Sequence, residues 1–198
     1  MTFFLNMKNT SVNSNSPFAK STLSEFIYEH LIKYYDGNYD DIVILCIGTD
    51  RSTGDCLGPL TGYKLSYIPR IYSKVSVLGT LEEPVHAKNL EEKITYIYSS
   101  YNNPFVIAID ACLGKLERVG YINVAKGPLK PGAGVNKDLP NVGDIHVTGV
   151  VNLGGFMEYI ILQNTRLCTV MKMADIISSG FITSLWKFFK QNEKLTTT

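Results

Sequence analysis

The chain has little of what marks several classes of protein. Among its 198 residues are one tryptophan, three histidines and four cysteines, and no two cysteines form a CxxC pair. A disulfide framework is therefore not predicted. The 19 lysines and arginines nearly balance the 18 aspartates and glutamates, and they form no basic cluster. Nucleic acid is consequently not an expected partner.

Long apolar segments are also missing. No apolar run in the sequence approaches the roughly 20 residues that a membrane span requires. The apolar start over residues 1–6 is too short for a secretory signal, and polar residues come after it. We therefore expect a cytoplasmic protein without a membrane partner.

The pattern that remains predicts one α/β domain. Residues 1–17 are polar and are expected to be a flexible tail, and residues 18–198 are expected to form a single domain. A helix is predicted from Thr22. Strands are predicted over 41–47, 74–79, 105–109, 117–126, 145–147 and 166–172, with helices from Pro59, from Asn89, over 150–163 and at the C-terminus. Strands that alternate with helices predict a three-layer α/β/α fold with a mostly parallel, twisted sheet.

Three polar side chains lie beside or within predicted strands. Asp55 lies in the glycine-containing loop after the first buried strand, Asp110 directly succeeds the strand 105–109, and His146 lies in the short strand 145–147. Ligands of parallel sheets bind at the carboxyl ends of the strands, which makes these positions the candidate site. A helix-capping role for Asp55 and a strand-end turn for Asp110 are the plain structural alternatives.

Two chemistries suit this set of residues. Asp55 and Asp110 could share a proton and catalyse hydrolysis as a general acid and a general base. Alternatively, Asp55, Asp110 and His146 could hold a divalent metal, zinc or nickel, as an open site; no other cofactor is predicted. A thiol nucleophile, Cys56 or Cys112 with His146 as base, is disfavoured because neighbouring carboxylates raise a thiol pKa. Nucleotide binding is disfavoured because neither glycine-rich phosphate motif is present.

The same segments carry a resemblance to known families. Gly48, Asp55, Gly58 and Pro59 are spaced as in the first motif of the spore germination proteases, and the run 106–110 is similar to their second motif. The segments 117–119 and 131–135 also resemble the region of those proteases that comes after the second motif. In the hydrogenase-maturation endopeptidases, an acidic residue, an Asp and a His at the corresponding positions bind a nickel ion of the substrate. The residues His146, Gly149 and Asn152 partly match their third motif.

As a whole, the sequence most resembles the small YyaC-type sporulation proteins. The resemblance implies a fold like that of the germination and hydrogenase-maturation proteases, of phosphorylase/hydrolase type, with Asp55 and Asp110 as the essential carboxylates. The expected substrate-binding residues lie in the same three segments of the sequence: Gly48, Thr49, Cys112 and Gly149.

These features lead to two expectations about function. The first is a sporulation- or germination-associated peptidase, or peptidase-like hydrolase, that acts on a protein or peptide substrate in the cytoplasm of the spore or forespore. The second is a non-catalytic spore protein that binds a peptide or protein partner on the same fold. The aromatic C-terminal helix predicts either burial or a homo-oligomer interface through Phe181, Trp186, Phe188 and Phe189.

Overall fold

The computed structural model describes residues 10–131 and 139–195. Within them, a mixed sheet of six strands is flanked by helices. The strands are β1 (Ser11–Asn13), β2 (Asp41–Cys46), β3 (Val75–Leu78), β4 (Pro104–Gly114), β5 (Tyr121–Lys126) and β6 (Ile145–Leu153). The helices are α1 (Ala19–Tyr34), α2 (Leu57–Leu65), α3 (Leu90–Ser100), α4 (Glu158–Gln163) and α5 (Leu167–Leu195).

The strand order is β1-β5-β6-β4-β2-β3. Strands β3, β2, β4 and β6 run parallel to one another. At one edge of the sheet, β5 pairs antiparallel with β6, and β1 pairs antiparallel with β5. The buried β2 and β4 read as continuous apolar runs because both of their faces are covered, as is typical of parallel strands. The predicted mostly parallel α/β sheet is thus confirmed.

Two hydrophobic clusters fill the spaces between the sheet and its helices. One face of the sheet packs on α1, α2 and α5 through a cluster that includes Ile44, Ile107, Val147 and Phe181. The opposite face packs on α3 through a smaller cluster around Leu45, with the bridged residues Leu129 and Val142 beside it. Among the described residues, this second face is therefore covered by α3 and by the loop segments of Leu129 and Val142.

The N-terminal segment corrects one prediction. Residues 11–13, expected to belong to a flexible tail over residues 1–17, form β1 and pair antiparallel with β5. Val12 is buried in the core, and this apolar contact fixes the short strand. The next helix begins at Ala19 rather than at Thr22. Residues 1–9 of the expected tail lie outside the described residues.

The last third of the chain contains two further corrections. Residues 150–153 continue β6 and do not begin a helix, because they extend the parallel pairing of β6 with β4 beyond the part that also pairs with β5. Residues 167–172, expected to be a central strand, begin α5 instead. Val170, Met173, Ala174 and Ile177 are all buried at helical spacing, which places this segment on a helix.

Most of the aromatic side chains of the C-terminal helix pack in the core. Phe181 and Phe188 are buried in the core, whereas Trp186 is exposed. The part of the resemblance over residues 132–135 lies outside the described residues. Among the residues described, the helices are all too short or too polar to cross a bilayer.

Candidate functional site

The candidate site surrounds the backbone of Gly48, the second residue after β2. On one side, the amide of Ile47 donates to the carbonyl of Ile109 at 2.7 Å, so that Asp110 continues the neighbouring strand. On the other side, the amide of Gly48 donates to the carbonyl of Val85 at 2.8 Å, which brings in His86. A Cβ atom added to Gly48 would lie 2.0 Å from the carbonyl oxygen of Asp55. The predicted residues Asp55 and Asp110 and the newly found His86 thus lie on segments next to Gly48.

Asp110 lies within β4 and not at its end, since the strand continues to Gly114. This corrects the expected strand end at residue 109. The side chain is buried, and its Oδ1 accepts a hydrogen bond from the amide of Ala111 at 2.8 Å. Its register partner on β6 is Thr148. Asp110 is therefore a desolvated carboxyl group fixed by the sheet, where a plain strand-end turn would be exposed.

Asp55 lies on a short 3₁₀ turn, Gly54–Cys56, that leads into α2. No side-chain capping hydrogen bond is made at the start of this turn or of α2, so the helix-capping alternative is not supported. Burial raises the pKa of the Asp55 carboxyl, which is opposed by a hydrogen bond from the Thr49 amide and by the charge of His86. The turn contacts β4, which carries Asp110. Desolvation of this kind is a common feature of functional carboxyl groups.

Glycines shape the loop that carries Asp55. The φ angle of Gly48 is +141°, a value that L side chains rarely adopt. A Cβ atom on Gly58 would lie 2.0 Å from the carbonyl of Ile47. The glycine spacing of the first motif therefore allows the backbones of the turn and of α2 to contact the end of β2 closely.

A polar row crosses the sheet beside Asp110 and was not predicted. The register places Ser11, Asn123, Thr148 and Asp110 in line across β1, β5, β6 and β4. Asn123 Nδ2 donates to the hydroxyl of Thr148 at 3.3 Å, and Arg118 donates to Asn123 Oδ1 at 3.1 Å. Alternating polar residues in β5 and β6 were the signal for this row, because period-two polarity marks one open face of a strand.

His146 is not part of the group around Gly48. It pairs with Ala108, two residues before Asp110, and its Nδ1 lies 2.8 Å from the carbonyl oxygen of Gly127, to which it donates. In the described parts of the chain, no group of three or more His, Cys, Asp or Glu side chains is arranged to hold a metal ion. The predicted zinc or nickel set of Asp55, Asp110 and His146 is therefore not assembled, because His146 enters β6 too early.

Gly149 is a packing residue in this fold, and its expected role in substrate binding stays a prediction. It is buried on the face that packs on α2 and α5, opposite to the face of Thr148. An added Cβ atom would lie 2.4 Å from Leu57 and 2.7 Å from Met173. The glycine allows these two helices to approach β6 closely. The expected roles of Gly48, Thr49 and Cys112 in substrate binding stay predictions.

The thiols near the site are poorly suited to nucleophilic catalysis. Burial and the charge of Asp110 raise the pKa of Cys112 to about 11, although a hydrogen bond from Thr148 partly offsets this. Burial, with Asp50 and Asp55, also raises the pKa of Cys56. A thiol with a raised pKa is protonated at neutral pH and is a weak nucleophile.

We expect iodoacetamide at pH 7 to alkylate the exposed Cys168 and to leave Cys112 unmodified. Labelling of Cys112 should begin only as the pH approaches its pKa of about 11. Mass spectrometry of tryptic peptides after timed alkylation checks this. Equal labelling of Cys112 and Cys168 at pH 7 would instead favour the thiol-nucleophile hypothesis.

An exposed apolar segment lies beside the turn that carries Asp55. The segment runs from the end of β6 into the start of α4. Phe156 in it is 88% exposed, and Leu153, Met157, Tyr159 and Ile160 are also exposed. A Cβ atom on Gly54 would lie 2.8 Å from Leu162 of α4, so that the turn and this helix are in close contact. Large exposed apolar side chains in one segment are typical of surfaces that bind a partner or a substrate.

Known proteins share features of this sequence and fold. The structure of a [NiFe] hydrogenase maturation protease HycI from Thermococcus kodakarensis KOD1 is similar at a TM-score of 0.49 and 17% identity, covering 79% of this chain and 98% of that chain. The uncharacterized protein YyaC of Bacillus subtilis (strain 168) is 58% identical over 139 residues, which are 70% of this chain and 67% of that protein. The family described as protein of unknown function (DUF1256) matches residues 11–180. The chain therefore belongs to the DUF1256 family.

Proposed function

We propose that this protein is a peptidase, or a peptidase-like hydrolase, that acts on a protein substrate during sporulation or germination, in the cytoplasm of the spore or forespore. The observation that carries the proposal is that Asp55, whose pKa is raised by burial, and the buried Asp110 lie on two segments whose backbones meet the end of β2 at Ile47 and Gly48. The resemblance of both motifs to those of the germination proteases supports the same chemistry.

The environments of the two carboxyl groups suit different roles. Burial raises the pKa of Asp55, and in this proposal the group donates a proton to the leaving amide nitrogen. Asp110, buried in β4 with its Oδ1 bonded to the Ala111 amide, is the general base. In this mechanism, Asp110 takes a proton from water as the water oxygen attacks the scissile carbonyl carbon. Asp55 then protonates the nitrogen as the C–N bond breaks.

A digest followed by mass spectrometry tests the proposal. Purified protein and Asp110→Asn are incubated with small acid-soluble spore proteins and with a mixed peptide library, each with and without EDTA. We expect cleavage by the wild type, loss of cleavage in Asp110→Asn, and persistence in EDTA, since the described residues form no metal-ligand group. Intact substrates in every tube that contains folded wild-type protein would contradict the proposal.

A binding role without catalysis is the second candidate. The exposed apolar side chains between Leu153 and Ile160 favour it, because such a segment can hold a peptide or partner without any acid–base chemistry. Peptides that are retained by the folded protein but never cleaved would support this candidate. Replacing Phe156 with serine should then weaken retention, whereas Asp110→Asn should leave it unchanged.

A further inference from the structure

An open polar face of the sheet lies beside Asp110. Asn123 of β5 pairs with Thr148 of β6, and Thr148 pairs with Asp110 of β4, so the three side chains share this face. Asn123 and Thr148 are half-buried, whereas Ile122 and Val147, on the opposite face, are buried in the core. The Nδ2 of Asn123 donates to the hydroxyl of Thr148 at 3.3 Å. The face therefore offers polar groups to a ligand directly beside the candidate site.

Arg118 supplies a positive charge to this face. It ends the short 3₁₀ turn Leu116–Arg118 that leads to β5. Its Nη2 donates to the Oδ1 of Asn123 at 3.1 Å and to the hydroxyl of Ser11, which itself donates to the same Oδ1 at 2.7 Å. The guanidinium carbon lies 3.9 Å from the centre of the Tyr121 ring. Neutral groups on two strands therefore fix the guanidinium in one orientation.

The positive charge of Arg118 has no carboxylate partner among the described residues. Ion pairs in this part of the chain join Lys64 to Asp175 and Lys187 to Glu25, and none of those printed pairs involves Arg118. Both hydrogen bonds of the guanidinium to described residues are made by Nη2, which leaves the donors of Nε and Nη1 for a ligand. A guanidinium presents planar, paired donors that match a carboxylate. A residue that only held β1 against β5 would need no charge, because a neutral amide can donate to the same two oxygen atoms.

We propose that Arg118 binds a carboxylate group of the peptide substrate, which lies on this open face with its scissile bond at Asp110. The inference rests on the proposed function and names the class of substrate. Neighbouring strands are about 4.8 Å apart, so Asn123, two strands from β4, lies about 10 Å from Asp110, a distance that an extended peptide spans in about three residues. The substrate is therefore a peptide with a carboxylate about three residues from the scissile bond. That carboxylate belongs to an acidic side chain or to the C-terminus of the peptide.

The test is retention of random decapeptides, half of them with an amidated C-terminus, by immobilised Asp110→Asn, the variant expected not to cleave. Mass spectrometry identifies the retained peptides. Enrichment of aspartate and glutamate would assign the carboxylate to a side chain, and enrichment of free C-termini would assign it to the chain end. Adding Arg118→Gln should abolish either enrichment. Adding Lys115→Gln, which removes an exposed charge next to the same turn, is the matched control and should preserve it.

Affinities then test the pairing directly. A retained peptide is resynthesised with its carboxylate replaced by an amide, and both forms are titrated by calorimetry. Hydrogen bonds to charged groups correspond to a roughly 10- to 100-fold change in Kd, so the amide form should bind Asp110→Asn more weakly by about that factor. With Arg118→Gln added, the two forms should bind equally, a coupling that an arginine with only a structural role would not produce.

Two results would overturn the inference: no retention of peptides by folded Asp110→Asn, or the same carboxylate preference with arginine and with glutamine at position 118. Arg118→Met is measured in parallel, so that a folding defect in one neutral variant leaves the comparison intact. Because retention needs no cleavage, a wild type that binds these peptides without hydrolysing them would count against the proposed function. The carboxylate preference would still decide the role of Arg118.

Discussion

Asp55→Asn is expected to lose hydrolysis and to gain stability at neutral pH. The amide cannot donate the proton that the leaving nitrogen needs, and loss of general acid catalysis typically costs about 10²–10⁴-fold in rate. The gain in stability results from the raised pKa of Asp55, since burial disfavours the ionised form in the folded state. An asparagine at the same position removes this unfavourable charge.

The pH dependence of this gain has a definite sign. Burial raises the folded-state pKa of Asp55 above the ordinary aspartate value of 3.8, so the folded protein binds more protons than the unfolded chain between these two values. The stability of the wild type therefore falls as pH rises through that window. Asp55→Asn should be more stable above the window and should show no advantage below it.

Urea unfolding at several pH values, with the hydrolysis rate measured on the same samples, checks both parts. Asp50→Asn is the matched control, because Asp50 is an exposed carboxylate on the same loop and should change neither quantity. An Asp55→Asn variant that is destabilised at pH 7 would indicate that Asp55 is a structural residue and not a strained functional one.

Gly48→Ala is expected to lower both stability and activity. The φ angle of +141° is unfavourable for alanine, and backbone strain of this kind costs about 1–3 kcal/mol. The added Cβ atom would also lie 2.0 Å from the carbonyl oxygen of Asp55, so the turn that carries Asp55 must move. Overpacking a tight contact typically costs about 1–3 kcal/mol more.

Gly37→Ala is the matched control for this substitution. An added Cβ atom at Gly37 meets nothing within 4 Å, and the residue does not have a positive φ angle. Chemical unfolding and the hydrolysis rate of the two variants should therefore diverge. Wild-type stability and activity in Gly48→Ala would contradict the arrangement in which this glycine carries the site.

The central elements of the fold could be predicted from the sequence because their signals are local. The apolar runs at 41–47 and 105–109 are β-branched and bounded by turn residues, and they form β2 and most of β4. The predicted helix 150–163 is confirmed over Glu158–Gln163 but is wrong for residues 150–153, and the predicted strand 166–172 is wrong, because short apolar runs fit a strand and a buried helix equally well. Only the packing of Val170 and Met173 in the core decides that residues 167–172 lie on α5.

The site was predicted in part, for a related reason. Asp55 and Asp110 lie near recognisable strands: β4 carries Asp110 alongside β2, and the loop after β2 brings the backbone of Asp55 back to Gly48. The position of His146 depends on where β6 starts, which the sequence leaves open by several residues. Thr148 lies beside Asp110, and His86 lies next to the end of β2, because of the pairing register of their segments. Register is set between segments that are distant in the chain, so a local sequence pattern does not reveal it.

The central claim is that Asp55 and Asp110 act as one unit, and a double-substitution cycle tests it most directly. The hydrolysis rate is measured for the wild type, Asp55→Asn, Asp110→Asn and the double variant, each shown to be folded. Residues that act as a unit are strongly non-additive, so we expect the double variant to be no slower than the slower single variant. Losses that multiply across the two substitutions, or single variants that cleave at the wild-type rate, would contradict the account.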